Sequence, residues 1–345
     1  MKKSILDCSI IELTEYLASI NEPSFRANQI FEGIYAQNKI SFEEFTTLPL
    51  NTRQKLAENF YLRTLEKVEE ITSTFDNTQK FLWKLIDGYK IESVIITENK
   101  RTTFCISSQV GCALDCKFCA TGKMGILRNL TPGEIVEQVL LMQEKIGQKP
   151  TNIVYMGMGE PMLNYDSVIQ AADILTAPKG LGLGKRRITI STSGVIPGIK
   201  RFTKEKQPYS LAISLNSIDD KIREKIMPIS KKYPINDLMD AARDYTEQLN
   251  KLITFEYVLL DKFNASKEDA KKLVQLTHRI PCKINVIPCN SDEPDYQPPS
   301  KEKVQIFEQH INERSRRITL RKRKGWEIKA ACGQLYAENV KKKRQ

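Results

Sequence analysis

Three cysteines lie within eight residues in the segment Cys112-Ala-Leu-Asp-Cys116-Lys-Phe-Cys119. The other five of the 8 Cys are scattered, with Cys105 seven residues upstream and Cys332 close to the end of the chain. Acidic residues interrupt the apolar start of the chain, and no apolar run approaches the ~20 residues of a membrane span. We therefore expect a cytoplasmic protein without a membrane span. Because thiols are kept reduced in the cytoplasm, clustered cysteines in such a protein indicate metal or redox chemistry rather than a disulfide framework.

The spacing of these cysteines favours an iron–sulfur cluster over a structural zinc ion. Structural zinc takes four nitrogen or sulfur ligands, and neither a histidine nor a fourth cysteine follows at finger spacing. A [4Fe–4S] cluster is normally held by four thiolates, so three thiolates leave one iron open to a small molecule. The pattern Cys-x3-Cys-x2-Cys, with Phe118 before the last cysteine, is similar to the signature of radical S-adenosylmethionine (SAM) enzymes. We therefore predict a [4Fe–4S] cluster on Cys112, Cys116 and Cys119, with SAM bound at the open iron.

Strand-like and helical segments alternate after residue 100. Apolar, β-rich runs occupy residues 152–156, 188–192, 209–214, 254–259 and 283–288. Amphipathic helical segments fall between them, near 132–146, 167–176, 235–249 and 267–277. This alternation predicts an α/β fold with a parallel sheet and outer helices, and a partial (β/α) barrel and a doubly wound open sheet both fit it. Either architecture gathers functional residues at the carboxyl ends of the strands.

The first 90 residues predict a different unit. Helical spacing of apolar residues covers 10–17, 26–35 and 51–62. Strand-like segments then flank a turn at Asp87-Gly88, which predicts a hairpin. We therefore divide the chain into a small helical N-terminal accessory domain with its connecting hairpin, residues 1–90, and a barrel core with a basic C-terminal region, residues 91–345.

Positive charge is concentrated at the end of the chain. The formal net charge is +11, and residues 301–345 hold 14 basic and 5 acidic residues. A local field of this kind suits a polyphosphate such as RNA or DNA, and a solvated, solubilising tail is the alternative. The basic residues that form most of this concentration are Arg314, Arg316, Arg317, Arg321, Lys322, Arg323, Lys324 and the closing run Lys341-Lys342-Lys343-Arg344.

The chain resembles the RlmN family of dual-specificity RNA methyltransferases, which are radical SAM enzymes. The resemblance spans nearly the whole chain, and the stretch 324–329 departs from it because the family usually has a more acidic, small-residue pattern there. Gly33 is a second departure, since tryptophan is common at that position. The matching blocks begin at Asn21, Phe104, Gly122, Arg128, Met156, Ser191, Ser214, Met227 and Ala330, and include Asn21-Glu-Pro-Ser-Phe-Arg, Met156-Gly-Met-Gly-Glu-Pro161 and Ala330-Ala-Cys-Gly-Gln-Leu335.

The resemblance implies a radical SAM-type partial barrel that methylates C2 of an adenine in RNA: adenine 2503 of 23S rRNA and adenine 37 of tRNA. The Cfr-type sister enzymes, which methylate C8 of the same ribosomal adenine, typically have alanine where this chain has Pro161, so we favour C2. A non-catalytic RNA-binding protein with a structural metal cluster is the alternative from another class. The implied partners are 23S rRNA, tRNA and an electron donor such as flavodoxin or ferredoxin, and we expect a monomer.

The resemblance also implies a role for each site residue. Cys332 would take a methyl group from one SAM, and a second SAM would yield the 5′-deoxyadenosyl radical that abstracts hydrogen from that methyl group. The methylene radical would add to C2, Glu92 would accept the C2 proton, and Cys105 would release the product by forming a disulfide with Cys332. Two SAM molecules are used per turnover in this scheme. The expected SAM contacts are Gly159, Glu160, Ser191, Ser214, Leu215, Asn216 and Asn290.

Overall fold

A computed structural model describes residues 2–291, 293–312, 318–321 and 323–338. The first half holds β1 (Lys3–Ser4), α1 (Ile10–Ser19), α2 (Phe25–Tyr35), α3 (Leu50–Asn59), β2 (Phe60–Tyr61), β3 (Glu66–Thr72), β4 (Gln79–Lys84), β5 (Lys90–Glu98), β6 (Arg101–Cys105), β7 (Gln109–Gly111), α4 (Ala120–Lys123), β8 (Ile126–Asn129) and α5 (Pro132–Ile146). The second half holds β9 (Asn152–Tyr155), α6 (Tyr165–Thr176), β10 (Ile188–Thr192), α7 (Ile196–Lys204), β11 (Ser210–Ser214), α8 (Asp220–Ile226), α9 (Ile235–Leu249), β12 (Ile253–Leu259), α10 (Lys267–Thr277), β13 (Cys282–Pro288), α11 (Lys301–Asn312) and β14 (Ile318–Leu320). None of the described helices is long and apolar enough to cross a membrane.

Within the described residues, the main sheet has ten strands in the order β14-β13-β12-β11-β10-β9-β6-β5-β4-β3. From β6 to β14 every neighbouring pair is parallel, and the strands follow one another in chain order. A doubly wound sheet would reverse its strand order at a switch point, whereas a (β/α) barrel adds strands in sequence. The partial barrel is therefore the confirmed alternative. Its carboxyl edge carries the loops after β6, β9, β10, β11, β12 and β13.

Antiparallel strands extend this sheet on one side. β3, β4 and β5 form an antiparallel meander that joins the barrel through β6. The hairpin predicted around Asp87-Gly88 is the β4–β5 pair, and its turn contains Gly88 at a φ of +88°. The sheet thus runs through residue 90, and the division of the chain into two domains at that residue stays a prediction.

Local signals explain why the best predicted helices begin and end where they do. The hydroxyl of Thr131 accepts a hydrogen bond from the backbone N–H of Glu134 at 3.2 Å, and the Glu134 carboxylate accepts one from the Thr131 N–H at 2.9 Å. Pro132 fills the first helical position, and Gly147 ends α5 in the left-handed conformation at a φ of +67°. Such a capping box with a terminal glycine fixes both ends of a helix.

The helices α1 to α3 dock on the barrel through buried polar contacts. The Asp7 carboxylate accepts a hydrogen bond from the Gly133 N–H at the start of α5, at 2.7 Å. The Glu137 carboxylate on α5 accepts from the Thr64 and Leu65 N–H groups at 2.7 and 3.0 Å, so it fastens the segment that leaves α3. These contacts join the segments before α1 and after α3 to α5, a helix on the outer face of the barrel.

Candidate active site

The cysteine loop lies between β7 and α4, at the carboxyl edge of the barrel. Its backbone is fixed by hydrogen bonds from the Cys112 N–H to the Gly125 carbonyl (3.0 Å) and from the Cys119 N–H to the Cys116 carbonyl (3.0 Å). Gly111 enters the loop at a φ of +79°, and a Cβ there would lie 1.9 Å from the Gly125 oxygen. Only glycine fits that close approach, so the loop conformation depends on it.

Cys112, Cys116 and Cys119 line one cavity, which we call the SAM cavity. Among the described residues, no three His, Cys, Asp or Glu side chains come together as ligands for a single metal ion. The ligands of a cubane cluster do not converge on one ion, because each thiolate binds a different iron. Burial raises the pKa of all three thiols, that of Cys112 to about 12, so they stay protonated near neutral pH unless a cationic group takes the place of their protons. This donor set fits a cluster.

Glu160 ends the strand-to-loop segment after β9 and lies buried in the wall of the SAM cavity. Its carboxylate accepts hydrogen bonds from the Ser193 N–H at 2.8 Å and the Met162 N–H at 3.1 Å. Burial raises the pKa of this carboxyl, and the backbone donors oppose that rise. Gly159 before it adopts a φ of +100°, and a Cβ there would lie 2.5 Å from Cβ of Gln109. The segment therefore presents one rigid acidic group to the cavity.

The structure puts the remaining expected SAM contacts in three different places. Ser191, Ser214 and Asn216 line the SAM cavity together with Gly159 and Glu160, at the ends of β10 and β11. Leu215 does not line it, although its backbone links Glu256 to Arg223 through hydrogen bonds of 3.0 and 2.8 Å. Asn290 lines the neighbouring cavity instead, where its Oδ1 accepts a hydrogen bond from Nε of Arg323 at 2.7 Å.

Cys105 and Cys332 line that neighbouring cavity, which we call the thiol cavity. Cys332 also lines the SAM cavity, so the two cavities meet at its side chain. Both residues are free thiols in the structure. Cys332 is open to solvent through the cavities, but the protein around it still raises the pKa of its thiol to about 11. Deeper burial raises the pKa of the Cys105 thiol to about 12.

The walls of the thiol cavity are basic. Arg101, Arg321, Arg323 and Lys324 all line it, with Glu98 as an acidic member. Three residues of the predicted basic region, Arg321, Arg323 and Lys324, are therefore described, and they line the same cavity as the two thiols. The other basic residues named from the sequence lie outside the described residues: Arg314, Arg316, Arg317, Lys322, Lys341, Lys342, Lys343 and Arg344.

Glu92 lies on β5, buried, and lines neither of these two cavities. Its carboxylate pairs with Lys80 on β4 at 2.9 Å and accepts a hydrogen bond from the Tyr336 N–H at 2.8 Å. Burial raises the pKa of Glu92, and the Lys80 ammonium opposes that rise. Since Tyr336 follows Cys332 by four residues, Glu92 is tied directly to the segment that carries this thiol.

Two charged residues of the site were missed from the sequence. Glu256 on β12 lines the SAM cavity; its Oε1 accepts a hydrogen bond from the Asn285 amide at 2.8 Å, and its Oε2 has no partner among the described residues. Arg223 on α8 is fully buried and donates to the carbonyls of Leu215 and Ser193, each at 2.8 Å. The sequence signal for Glu256 is one carboxylate inside an apolar strand, whereas Arg223 lies in a short helix of charged residues with no such contrast.

Comparison with known proteins agrees with this geometry. Residues 106–276 match the family model of the radical SAM superfamily, and residues 3–62 match that of the ribosomal RNA large subunit methyltransferase N-terminal domain. The dual-specificity RNA methyltransferase RlmN of Syntrophobacter fumaroxidans is 41% identical over 337 residues, covering 97% of this chain and 98% of that protein. The chain belongs to the RlmN family.

Other relatives agree with this membership. The probable dual-specificity RNA methyltransferase RlmN of Clostridium perfringens (strain 13 / Type A) is 40% identical over 342 residues, which covers 99% of each chain. The crystal structure of a radical SAM methyltransferase from Sphaerobacter thermophilus superposes with a TM-score of 0.93 at 40% identity, covering 97% of this chain and 100% of that one. The predicted radical SAM fold is therefore confirmed, and the family implies a [4Fe–4S] cluster and SAM as cofactors.

Proposed function

We propose that this enzyme methylates C2 of an adenine in 23S rRNA and in tRNA, at the positions that the family resemblance implies. The observation that carries the proposal is the meeting of two cavities at Cys332. One cavity holds the three cluster thiols and Glu160, and the other holds Cys105 among basic side chains. A carbon such as adenine C2 is not nucleophilic, so direct transfer of a methyl group from a sulfonium cannot reach it. A thiol that carries the methyl group between the two cavities removes this obstacle.

Cys332 receives the methyl group in the first step. Its thiol loses a proton, the sulfur attacks the methyl carbon of SAM, and S-adenosylhomocysteine leaves. The pKa of about 11 means that the thiolate is scarce at neutral pH. Desolvation by the surrounding protein is the main cause of this raised pKa; the Glu256 carboxylate adds to it and the Arg321 guanidinium opposes it.

The cluster and a second SAM, held by Cys112, Cys116, Cys119 and the Glu160 side of the cavity, would supply the one-electron chemistry that activates the methyl group. Electrons for it would come from a flavodoxin or ferredoxin. What the chain itself contributes is position: Cys332 lies at the border of both cavities, so the same sulfur reaches the cofactor side and the RNA side.

Cys105, in the thiol cavity, and Glu92, which is tied to the Cys332 segment through the Tyr336 N–H, complete the reaction. Once the carbon has bonded to C2, the adduct holds one unpaired electron, which would pass back to the cluster, and Glu92 then accepts the C2 proton. The Cys105 thiol gives up its proton and its sulfur attacks the Cys332 sulfur. The bond from Cys332 to the bridging CH2 breaks, and that carbon takes up a proton, so the adenine leaves with a methyl group while the two cysteines form a disulfide. The burial of Cys105 protects its thiol from other partners until the RNA is in place.

The basic walls of the thiol cavity would hold the RNA. Arg321, Arg323 and Lys324 can neutralise phosphates around an adenine that is unstacked to reach the thiols. Pro161 after Glu160 supports C2 over C8 as the methylated carbon. We propose that the enzyme acts as a monomer in the cytoplasm.

The test uses purified holoenzyme with SAM, a reductant and either a 23S rRNA fragment or tRNA, followed by mass spectrometry that separates 2-methyladenosine from 8-methyladenosine. We expect 2-methyladenosine. Cys105→Ala should stop turnover and leave a covalent protein–RNA adduct through Cys332, whereas Cys282→Ala, a partly buried cysteine outside both cavities, should turn over normally. Formation of 8-methyladenosine would overturn the regiochemistry, and turnover by Cys105→Ala without an adduct would overturn the thiol mechanism.

A further inference from the structure

Two large aromatic side chains are exposed on two loops that are bonded to each other. Trp326 is 48% exposed, and Phe75, in the turn between β3 and β4, is 75% exposed. The Gly325 N–H donates to the Asp76 carboxylate at 2.9 Å, and the Ser73 hydroxyl donates to the Glu327 carboxylate. An exposed aromatic side chain needs no explanation by itself, so the case for a binding partner depends on what surrounds Trp326.

The loop that carries Trp326 is held in one conformation. Gly325 has a φ of +59°, and a Cβ there would lie 2.7 Å from the Thr78 side chain. The Gly325 carbonyl accepts a hydrogen bond from the Ala330 N–H at 2.8 Å, and the Trp326 carbonyl accepts one from the Lys329 N–H at 3.2 Å. The backbone that carries the exposed indole is therefore already ordered, so a ligand that binds the indole loses little free energy to ordering this loop.

Positive charge connects this loop to the thiol cavity. The Arg323 guanidinium lies 5.3 Å from the centre of the Trp326 ring, within cation–π distance, and its Nε donates to Asn290. Arg323 and Lys324 line the thiol cavity, so the indole stands next to the basic wall that faces Cys105 and Cys332. A ligand that contacts both the indole and the basic wall must offer a flat apolar face to the ring and negative charge to the wall.

We propose that Trp326, with Arg323 beside it, stacks an unpaired nucleobase of the RNA that neighbours the methylated adenine. The inference rests on the proposed function, and it adds a contact in a stretch where the chain departs from the family pattern. Aromatic and guanidinium planes are the usual platforms for unstacked bases, and such a base brings the phosphates that the basic wall requires. A protein partner would not need this alternation of a flat ring and cations along one cavity rim.

Tryptophan fluorescence of the full-length protein gives the test, because the chain has 2 Trp. Trp83 is 2% exposed and its indole N–H donates to Ser93 at 2.6 Å, so RNA should not reach it. We expect a single-stranded loop of the RNA substrate to quench the emission of Trp326, and a fully paired RNA duplex of equal length not to do so. Trp326→Phe should abolish the quenching.

Affinity completes the test. Trp326→Ala should raise the Kd for the loop RNA about tenfold or more while leaving the Kd for the duplex unchanged, and Trp326→Phe should stay within about threefold of the wild type. Equal loop affinity of the wild type and Trp326→Ala, without quenching, would overturn the stacking role and leave the methylation proposal intact. Absence of RNA binding by the wild type would overturn both. Quenching by anionic lipid vesicles in place of RNA would overturn the nucleobase assignment in favour of a lipid surface.

Discussion

From the ion pair between Lys80 and Glu92 we predict how the rate of methylation depends on pH. The two groups lie 2.9 Å apart, and both side chains are largely buried. Burial raises the pKa of Glu92, and the Lys80 ammonium, together with the Tyr336 N–H, keeps that rise in check. If Glu92 accepts the C2 proton, it must be ionised, so activity should rise with pH through the pKa of Glu92. Lys80→Met removes the cation and should move this rise to higher pH.

The size of the move follows from the geometry. Two unit charges about 4 Å apart interact by about 4 kcal/mol at the effective dielectric constant of ~20 that suits protein sites, which corresponds to about three pKa units. Measured effects of a nearby opposite charge fall between about one and three units. Since both side chains are shielded from solvent, salt should screen the pair weakly. We therefore expect the acidic limb of the pH profile to move up by about one to three pH units.

The assay is the initial rate of RNA methylation by holoenzyme as kcat/KM between about pH 5.5 and 9. Lys80→Met should lose activity towards the acidic end of this range and regain it as the pH rises, because Glu92 is still present. Lys84→Met is the matched control: Lys84 lies on the same strand and pairs with Glu66 at 2.9 Å, but both of its groups are exposed. Its profile should coincide with that of the wild type. An acidic limb that stays in place in Lys80→Met would refute Glu92 as the proton acceptor.

Three further substitutions test other parts of the site and fold. Glu160→Gln keeps the shape of the side chain but turns an amide N–H towards one of the backbone N–H groups that the carboxylate accepts from. We therefore expect calorimetry to show SAM binding weakened about 10- to 100-fold. An unchanged Kd for SAM would contradict Glu160 as a SAM contact. Arg223→Met removes the guanidinium hydrogen bonds to three backbone carbonyls, which destabilises the fold, and it also removes a buried charge, which offsets part of that loss. We expect urea titration to show a net loss of about 2–4 kcal/mol in the free energy of unfolding. SAM affinity should also fall, because the strand ends that carry these carbonyls loosen. Gly33→Ala would place a Cβ 2.3 Å from the Phe45 ring, so we expect overpacking to cost about 1–3 kcal/mol in thermal unfolding, without change in RNA methylation by the folded fraction.

The barrel could be predicted because its strands and helices carry strong local signals. The predicted helices over 132–146, 235–249 and 267–277 have the same bounds in the structure, since caps such as Thr131 and Ser266 mark their starts. The choice between barrel and open sheet needed the strand order, which depends on contacts that no local pattern encodes. β3 was missed because Glu66–Thr72 is a charged, mostly exposed strand without an apolar face.

The site could be predicted only where chemistry fixes the spacing of residues. The cysteine loop is such a case, since ligation dictates thiols at set intervals, whereas Glu92 and the SAM contacts followed from family resemblance. Arg223 and Glu256 could not be found in this way, because a buried charge is compensated by partners far along the chain, such as Asn285 for Glu256. Asn290 was expected among the SAM contacts from the resemblance, and the structure places it in the thiol cavity beside Arg323.

Methylation at C2 can be measured directly by mass spectrometry of 23S rRNA and tRNA from cells with and without this gene. We expect deletion to remove 2-methyladenosine from both RNAs, and we expect the wild-type gene, but not Cys332→Ala, to restore it. Loss of 8-methyladenosine instead would contradict C2 methylation but keep the thiol chemistry. RNA whose methylated adenosines are the same in all of these strains would contradict the proposed function itself.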